Sequence, residues 1–505
     1  MKAFAYLKTM TALGLLLALA GCGAAAPAPG PHADAAGNLR YGRLIFKPCS
    51  LAAPRTDAVE AQCATFAVPE NHAAPAGRRI TLAIALVPAS GQAEADPVLM
   101  IAGGPGQSAL ESYPLVQRAF ADARRTRNVL LVDARGTGGS HSLPCADNAA
   151  RDAISDAARN SPAAARAAAV RCRDALARNS DLRFYATGDH VLDLNLVREA
   201  LGIEQWNLVG VSYGTRVAQQ FAKRYPRNTR TVTLDSVVPN SLVLGKDTAR
   251  NLDAALKRQF ARCAAEAACA HQLGDIAAQL HTVRDRLREG GLAPVRYRDP
   301  VSGEWREDVP TYGHLALLLR LYAYQPQAAA MLPLIVHEAA QGRYAGLLAQ
   351  ARLIYGDVEN SIMQGMSLSV TCTEDGDLTP DPADAATVMG TEFAEYLLAQ
   401  CQVWPHGQPA PDFRAPLRGT LPVLVLSGEF DPVTPARYGD EVVKFLPNAR
   451  HLVLPGQGHG MLAVGCVPKL FAQFIEGATA RGLNATCLQR LKATPPFAGN
   501  YGWEP

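Results

Sequence analysis

The sequence has no dominant charge, no internal repeat and none of the Cys/His spacings of a zinc site. Its 505 residues carry a formal net charge of +3 without a long block of one sign, so a nucleic-acid partner is not expected. We expect no metal or other cofactor. Beyond residue 37 no apolar run is long enough to cross a bilayer. The 48% of hydrophobic residues suffice for a large core, or for a core with a sizeable insertion.

The first 22 residues have the pattern of an export signal. A basic start precedes the apolar residues 11–20, which are too few to span a bilayer comfortably. The segment ends in "LAGC", which resembles the cleavage box of bacterial lipoproteins, so Cys22 is the predicted lipidated first residue of the mature chain. Ordinary secretion is the alternative. Gly23, where Asp would mark inner-membrane retention, favours the outer membrane, and residues 23–40 predict a flexible tether.

Ten cysteines follow Cys22, and an even number in an exported protein is typical of a disulfide set. None of them has the surroundings of a catalytic thiol. Sequential pairing is favoured by their positions, although the sequence leaves other connectivities open. The favoured pairs are Cys49 with Cys63, Cys145 with Cys172, Cys263 with Cys269, Cys372 with Cys401, and Cys466 with Cys487.

Short apolar runs alternate with helical patterns, which is typical of a mostly parallel sheet flanked by helices. Between residues 241 and 415 the strand pattern disappears and helical spacing predicts an inserted, largely helical cap. The predicted α/β core therefore has two parts, 41–240 and 416–505. Residues 80–87 alternate and predict an antiparallel leading strand, and buried strands are predicted at 98–102, 128–133, 207–211, 231–235, 422–428 and 450–456.

The pattern Gly-x-Ser-x-Gly occurs where the predicted strand at 207–211 turns into a helix. Its centre is Ser212, between Gly210 and Gly214. In α/β-hydrolases this pattern forms a sharp turn that exposes the serine hydroxyl above the sheet. A serine hydroxyl is a poor nucleophile at neutral pH, so it needs a base, an orienting acid and donors for the oxyanion. In this fold the acid and then the base follow the serine along the chain.

The acid and the base have candidates at the positions that this order requires. Asp431 lies in the turn directly after the strand at 422–428, and we prefer it to Glu429, which is closer to the strand end. Among the 11 histidines, His459 lies in a glycine-rich loop after the last predicted strand. His451 begins that strand, and a structural role is the better interpretation of it.

The oxyanion donors are expected from two turns. The strand at 98–102 runs into "GGPGQS" (103–108), where glycines allow backbone N–H groups to approach a ligand closely. We predict Gly104 as one donor and Tyr213, the residue after the predicted nucleophile, as the other.

These motifs resemble those of the secreted tripeptidyl aminopeptidases, α/β-hydrolases related to prolyl aminopeptidases. The resemblance runs from about residue 41 to about 490 and rests on "GGPGQS", "VDARGTGGS", "NLVGVSYGT", "CQVWP", "LSGEFDPVTP" and "GQGHG". It implies that Ser212 is the nucleophile, Asp431 the orienting acid and His459 the base. It also implies a structural role for Asp133 and Arg135.

Some residues depart from the family pattern. Gln107 stands where small residues are usual, and Ala102 where prolyl aminopeptidases often carry His, so a preference for proline does not follow. In that related family, carboxylates of the cap hold the free amine of the substrate. Glu374, and next to it Asp375, are the candidates here, with solvated acids beside a disulfide as the alternative.

The sequence therefore predicts an exported serine exopeptidase that acts on peptides from their free N-termini. A carboxylesterase on the same scaffold is the alternative, and a non-catalytic binding lipoprotein is a third hypothesis. The predicted location of the protein is the cell envelope of a bacterium, where only the lipid on Cys22 contacts the membrane. Secretion from the cell is the alternative. The number of residues released and the oligomeric state stay open.

Overall fold

The structure is a computed structural model that describes residues 30–33, 38–145 and 161–498, without the side chains of residues 356–360. The predicted signal peptide and Cys22 lie outside these residues. One part of the predicted tether, His32–Ala33, is a short edge strand. It pairs with its neighbour through backbone groups, which requires no apolar side chains.

Eleven strands form one mixed sheet in the described part of the chain. Its N-terminal strands pair antiparallel with their neighbours in sequence. The strand predicted at 80–87 is confirmed, and the strands at 39–41, 44–51 and 59–69 were not predicted because their exposed and buried residues alternate irregularly. These strands are β1 (His32–Ala33), β2 (Leu39–Tyr41), β3 (Leu44–Leu51), β4 (Val59–Pro69) and β5 (Arg79–Val87).

The rest of the sheet is parallel and contains the six predicted buried strands. Four come first along the chain: β6 (Val98–Ile101), β7 (Val129–Val132), β8 (Trp206–Val211) and β9 (Thr229–Asp235). A separate hairpin of β10 (Val295–Arg298) and β11 (Trp305–Asp308) follows, and then β12 (Val423–Gly428) and β13 (Ala449–Leu454) return to the sheet. The spatial order β5-β7-β6-β8-β9-β12-β13 brings the loops after β8, β9, β12 and β13 to one edge, where α/β sheets bind ligands.

Helices cover both faces of this sheet. The helix predicted at 189–202 spans Thr187–Leu201 and ends at Gly202, whose φ of +70° is the left-handed conformation of a helix C-terminus. The helices before the hairpin are α1 (Ala109–Val116), α2 (Pro162–Leu176), α3 (Thr187–Leu201), α4 (Tyr213–Arg224), α5 (Thr248–Ala265), α6 (Ala267–Leu273) and α7 (Ile276–Glu289). Those after it are α8 (Tyr312–Tyr322), α9 (Pro326–Ala329), α10 (Leu332–Ala340), α11 (Ala345–Ser361), α12 (Gln364–Glu374), α13 (Glu392–Cys401), α14 (Ala436–Val443) and α15 (Val467–Gly477).

Successive side chains of the parallel strands enter two different cores, because a strand alternates its side chains between the faces of a sheet. Leu208 of β8 packs with Val217 and Phe221 of α4 in the first core. Val209 of the same strand packs with Phe471 of α15 in the second. Burial on both faces is the reason that these strands are continuous apolar runs in the sequence.

The chain between β9 and β12 contains helices α5–α13 and has its own cluster of buried apolar side chains, including Leu252, Phe260, Leu318 and Leu332. It is helical as predicted except for the hairpin β10–β11. That hairpin escaped prediction because its four-residue strands are short and rich in charged residues. The limits of a separate cap domain stay a prediction.

Five disulfides join the cysteines in the sequential pairs that the sequence favours. They are Cys49–Cys63, Cys145–Cys172, Cys263–Cys269, Cys372–Cys401 and Cys466–Cys487. Disulfides of this kind persist in oxidising compartments and indicate an extracytoplasmic protein. Among the described residues, no helix combines the length and the apolar character needed to cross a membrane.

Candidate active site

Ser212 lies at the strained turn between β8 and α4. Its backbone has φ +54° and ψ −123°, a conformation that residues with a side chain rarely adopt and that occurs mainly at functional sites. A Cβ atom on Gly210 would overlap the carbonyl of Gly214, and one on Gly214 would overlap the carbonyl oxygens of Ile101 and Ala102. The two glycines are therefore required because backbone segments approach each other closely around the turn.

The loop after β6 lies directly against this turn. A Cβ atom added to Gly103 would lie 3.1 Å from Cβ of Ser212 and 3.1 Å from Oε1 of Gln107. Gly104 follows with φ +105°. The segment between β9 and β12, the predicted cap, reaches the same loop, since the N–H of Met363 donates to the carbonyl of Gly106 at 2.9 Å. The predicted donor Gly104 thus belongs to a loop that is packed between Ser212 and the cap.

Tyr213, the second predicted donor, is the first residue of α4. The backbone N–H groups of a first helical turn have no partner within the helix, and the helix dipole adds partial positive charge there. The side chain of Tyr213 is buried, and its hydroxyl forms a 2.6 Å hydrogen bond with Oγ1 of Thr187.

Asp431 and His459 form a direct hydrogen bond. Nδ1 of His459 is 2.8 Å from Oδ2 of Asp431, and both residues are buried. The other oxygen of Asp431, Oδ1, accepts the backbone N–H groups of Val433 at 2.9 Å and Thr434 at 2.8 Å. Oγ1 of Thr434 donates to Oδ2 of Asp431 at 2.8 Å. Four donors thus determine the orientation of the carboxylate.

The pKa of Asp431 is lowered and the pKa of His459 is raised, as expected for a histidine base whose positive charge is stabilised by a carboxylate. Burial alone would raise the pKa of Asp431, but His459 and the hydrogen bonds from the following turn hold it below its ordinary value. Burial alone would lower the pKa of His459, but the Asp431 carboxylate, with a further contribution from Asp235, holds it above its ordinary value. Asp431 is therefore ionised at neutral pH, and a positive charge on His459 is stabilised.

The segment between β9 and β12 also contacts His459. The backbone N–H of His459 donates to the carbonyl of Tyr324 at 2.7 Å. The ring of Tyr324 packs edge-on against the imidazole with centroids 4.9 Å apart. Neither Tyr324 nor Thr434 was identified from the sequence. A hydroxyl residue three positions after an Asp in a turn could have indicated Thr434, whereas nothing in the sequence near Tyr324 points to His459.

The alternatives considered for the acid and the base have other partners. Oε2 of Glu429 accepts the N–H of Gly456 at 2.7 Å. His451 lies 2.9 Å from Oδ1 of Asp440 and 2.9 Å from Oγ of Ser427. Both residues therefore make local structural contacts.

Glu374 and Asp375, the predicted ligands of a substrate amine, both contact Arg216 of α4. Nη1 of Arg216 is 3.3 Å from Oε2 of Glu374 and 2.8 Å from Oδ2 of Asp375. Oε1 of Glu374 accepts the N–H of Thr187 at 2.7 Å. All three charged side chains are buried, and burial raises the pKa of Glu374 to about 7 despite the nearby Arg216. Their role toward a substrate stays a prediction.

Glu374 also borders a cleft of about 660 Å³, together with Asp189, Lys223 and His406. Ser212, Asp431 and His459 do not line this cleft. The cleft therefore lies on the α3–α4 side of the described structure, apart from the Asp431–His459 pair.

Asp133 and Arg135 have structural contacts in the turn after β7. Asp133 accepts Oγ of Ser108 at 2.6 Å and the N–H of Leu110 at 3.0 Å. Arg135 forms two 2.6 Å contacts with Asp193 of α3. Asp133 thus orders the segment that follows the predicted oxyanion loop.

A strained serine turn and a buried Asp–His pair, both at the carboxyl edge of the same parallel sheet, are the arrangement of α/β-type serine hydrolases. The model of the alpha/beta hydrolase fold family matches residues 96–465. The chain belongs to this family. The predicted fold is thereby confirmed.

Three relatives with a known name share 25–29% sequence identity with this chain. Serine protease Hip1 of Mycobacterium tuberculosis is 25% identical over 467 residues, which cover 85% of this chain and 87% of Hip1. Carboxylesterase B of the same species is 28% identical over 470 residues, covering 85% of this chain and 86% of the relative. Tripeptidyl aminopeptidase of Streptomyces lividans is 29% identical over 192 residues, or 35% of each chain. The tripeptidyl aminopeptidase subfamily therefore stays a prediction.

Proposed function

We propose that this protein is an exported serine exopeptidase that cleaves peptides from their free N-termini through an acyl-enzyme. The observation that carries the proposal is the buried 2.8 Å hydrogen bond between Asp431 and His459. These residues follow β12 and β13, which lie in the same parallel sheet as β8, the strand that ends at the strained Ser212, with β9 between β8 and β12. Hip1 and the tripeptidyl aminopeptidase support a peptidase by their names.

The reaction proceeds in two transfers. Oγ of Ser212 attacks the carbonyl carbon of the scissile peptide bond while Nε2 of His459 takes its proton. The carbonyl oxygen becomes an oxyanion, which accepts hydrogen bonds from the N–H groups of Tyr213 and Gly104. Asp431 stabilises the imidazolium. His459 then returns the proton to the leaving amine, and water repeats the sequence to release the acyl group.

Labelling with a fluorophosphonate tests the nucleophile. The wild-type chain should be labelled on Ser212, and Ser212→Ala should not be labelled while it remains folded by circular dichroism. Labelling of the folded variant at the same rate would assign the nucleophile to another residue. No labelling of either chain would instead favour the non-catalytic hypothesis.

The free N-terminus is tested with two peptides that differ only in an acetyl group. A terminal amine has a pKa of about 7.7–8.0, so at pH 7 it is protonated and requires a carboxylate in a dry pocket. Acetylation removes that charge, and leaving a buried carboxylate unpaired costs about 3–5 kcal/mol. The acetylated peptide should therefore have a kcat/KM lower by about 10²–10³ or more. Equal rates would contradict the exopeptidase proposal.

Glu374 is the first carboxylate to test as the partner of the substrate amine, and Asp375 the next. Glu374→Gln should weaken cleavage of the free peptide and narrow its advantage over the acetylated one. Asp377→Asn is a matched control, because Asp377 is an exposed neighbour that contacts Arg414. If Glu374→Gln leaves the ratio of kcat/KM for the free peptide to that for the acetylated peptide unchanged, Glu374 does not bind the substrate amine. Its role is then restricted to its contacts with Arg216 and Thr187.

A carboxylesterase is the second candidate, favoured by the match to carboxylesterase B over 85% of the chain. A tripeptide amide and a short-chain ester, assayed on the same preparation, distinguish the two. The esterase would be supported if the ratio of kcat/KM on the ester to kcat/KM on the amide exceeds the ratio of their uncatalysed hydrolysis rates.

The cellular location of the protein can be tested through the predicted lipidation of Cys22. We propose that Cys22 is acylated and anchors the protein in the outer membrane. Mass spectrometry of the mature chain should find lipid on residue 22, and Cys22→Ser should release the protein from the membrane fraction. An unmodified N-terminus in soluble material would favour ordinary secretion.

A further inference from the structure

Asp235 and Ser236, at the end of β9, contact the segments that carry all three predicted catalytic residues. The strand β9 lies between β8, which leads to Ser212, and β12, which leads to Asp431. The N–H of Ser212 donates to the carbonyl of Asp235 at 2.9 Å, and the N–H of Ser236 donates to the carbonyl of Leu426 in β12 at 2.8 Å.

Their side chains bind the loop that carries His459. The N–H of Met461 donates to both carboxylate oxygens of Asp235, at 2.7 and 2.8 Å. The N–H of Leu462 donates to Oδ2 of Asp235 at 2.9 Å. The N–H of Gly460 donates to Oγ of Ser236 at 2.9 Å. Three successive amides directly after His459 are thus held by these two side chains.

Both residues are buried and one is strained. Asp235 is 1% exposed and Ser236 is not exposed at all. Ser236 has φ +57°, a left-handed conformation that a residue with a side chain adopts only when its surroundings impose it. This conformation is the one in which Ser236 reaches β12 through its N–H and Gly460 through its hydroxyl.

We propose that Asp235 is a positioning residue that sets the separation between Ser212 and His459. The backbone carbonyl of Asp235 accepts the N–H of Ser212, and its carboxylate accepts the N–H groups that follow His459. One buried residue is therefore hydrogen-bonded both to the proposed nucleophile and to the loop of the proposed base. The inference rests on the proposed function of Ser212 and His459. It matters because a misplacement of about 1 Å between reacting groups lowers a rate by roughly 10²-fold.

The carboxylate of Asp235 also acts on His459 electrostatically. It contributes to holding the pKa of His459 above its ordinary value, after the larger effect of Asp431. Burial raises the pKa of Asp235 itself, while the amides of Met461 and Leu462 and the imidazole of His459 oppose that rise. Removal of the ionised carboxylate at residue 235 should therefore lower the pKa of His459. The groups that face His459 or its loop are Asp431 and Glu429 after β12, Asp235 at the end of β9, and Tyr324 of the cap with Arg320 beside it.

Asp235→Asn tests the proposal because it preserves the shape and the backbone carbonyl. An amide accepts through only one oxygen, so its NH₂ group faces the N–H of Met461 or Leu462 and displaces the loop. We expect kcat per folded molecule to fall by about 10² or more, with KM within about twofold of wild type. The acid limb of kcat/KM should move to lower pH, because the base titrates at a lower pKa.

Thr233→Val is the matched control. Thr233 is a buried residue of the same strand, and its hydroxyl has no hydrogen-bond partner among the described residues. This variant should retain the wild-type kcat and pH profile. A folded Asp235→Asn with kcat within threefold of wild type would overturn the proposal.

A second variant covers the case in which Asp235→Asn does not fold. Ser236→Ala removes the hydroxyl that accepts the N–H of Gly460 at 2.9 Å and donates to Oδ1 of Asp235 at 3.2 Å, and we expect kcat to fall about tenfold with KM unchanged. An unchanged kcat in this variant would overturn the proposal. Ser212→Ala separates the two levels of inference: activity that persists in Ser212→Ala contradicts the proposed function, whereas Ser212-dependent activity that persists in the variants at 235 and 236 contradicts only the positioning role.

Discussion

Asp431→Asn gives the most direct test of the proposed base, because the hydrogen bonds around this carboxylate determine how an amide must sit. Oδ1 of Asp431 accepts two backbone N–H groups, from Val433 and Thr434, and Oδ2 accepts Nδ1–H of His459. In the Asn variant the amide oxygen stays with the two backbone donors, so the NH₂ group faces His459. Nδ1 must then accept, and the imidazole carries its proton on Nε2, where it cannot receive one from Ser212.

The size of the expected loss in kcat/KM follows from the cost of turning the Asn side chain the other way. Turning the amide so that its oxygen faces His459 leaves two buried N–H donors against an NH₂ group, at about 1–3 kcal/mol for each donor. The competent tautomer is therefore disfavoured by roughly 2–6 kcal/mol, which corresponds to a loss of about 30-fold to 10⁴-fold in kcat/KM. The upper end equals the fall of about 10⁴ caused by the equivalent substitution in serine proteases of another fold.

The assay is kcat/KM on a chromogenic peptide at pH 7 to 8, per folded molecule. Asp440→Asn is the matched control, since Asp440 is also 2.9 Å from a histidine Nδ1, that of His451, but is exposed and outside the site. The control should retain wild-type activity. A folded Asp431→Asn within tenfold of wild type would refute the assignment of Asp431 as the orienting acid.

Three further predictions use other measurements. Ser212→Ala should lower kcat by about 10⁶ without lowering the unfolding temperature, and residual activity above about 1% in a folded variant would be inconsistent with a serine nucleophile at this position. The base must be neutral to accept a proton, and the pKa of His459 is raised above its ordinary 6.5, so kcat/KM should fall as pH decreases through a value above 6.5; an acid limb below 6.5 would contradict this. Burial raises the pKa of Glu374 from 4.5 to about 7, so the stability that this group contributes is complete below pH 4.5 and is lost as pH rises through 7. Urea denaturation of wild type at pH 5 and pH 8 should show this loss, up to about 3 kcal/mol, and Glu374→Gln should lack it; the same pH dependence in both would refute the raised pKa.

The parallel strands and the positions of Ser212, Asp431 and His459 were predictable because each rests on a local pattern. Strands buried on both faces are continuous apolar runs, and these motifs occupy the turns after such runs. The antiparallel strands β2–β4 were not predictable in the same way, since only some of their side chains are buried and their polar residues interrupt the pattern.

Contacts between distant segments required the tertiary structure. Asp235 is 226 residues from Met461, and Arg216 is 158 residues from Glu374. In the sequence, Glu374 is an acid next to a cysteine, and nothing nearby indicates that its partner is a buried arginine on the helix after Ser212. A carboxylate has the same local pattern whether it binds a substrate or a distant side chain, because the difference lies in what folding places within about 3 Å of its oxygens.

The chain thus encodes its turns, its buried strands and the order of its reactive residues in short segments, where backbone sterics and apolar burial act between near neighbours. The order of strands in the sheet decides the rest. It places β9 between β8 and β12 and so brings Asp235 against both Ser212 and the loop of His459. Hydrogen bonds reach only about 3 Å, so the relation between the proposed nucleophile and the proposed base exists only after the sheet has assembled.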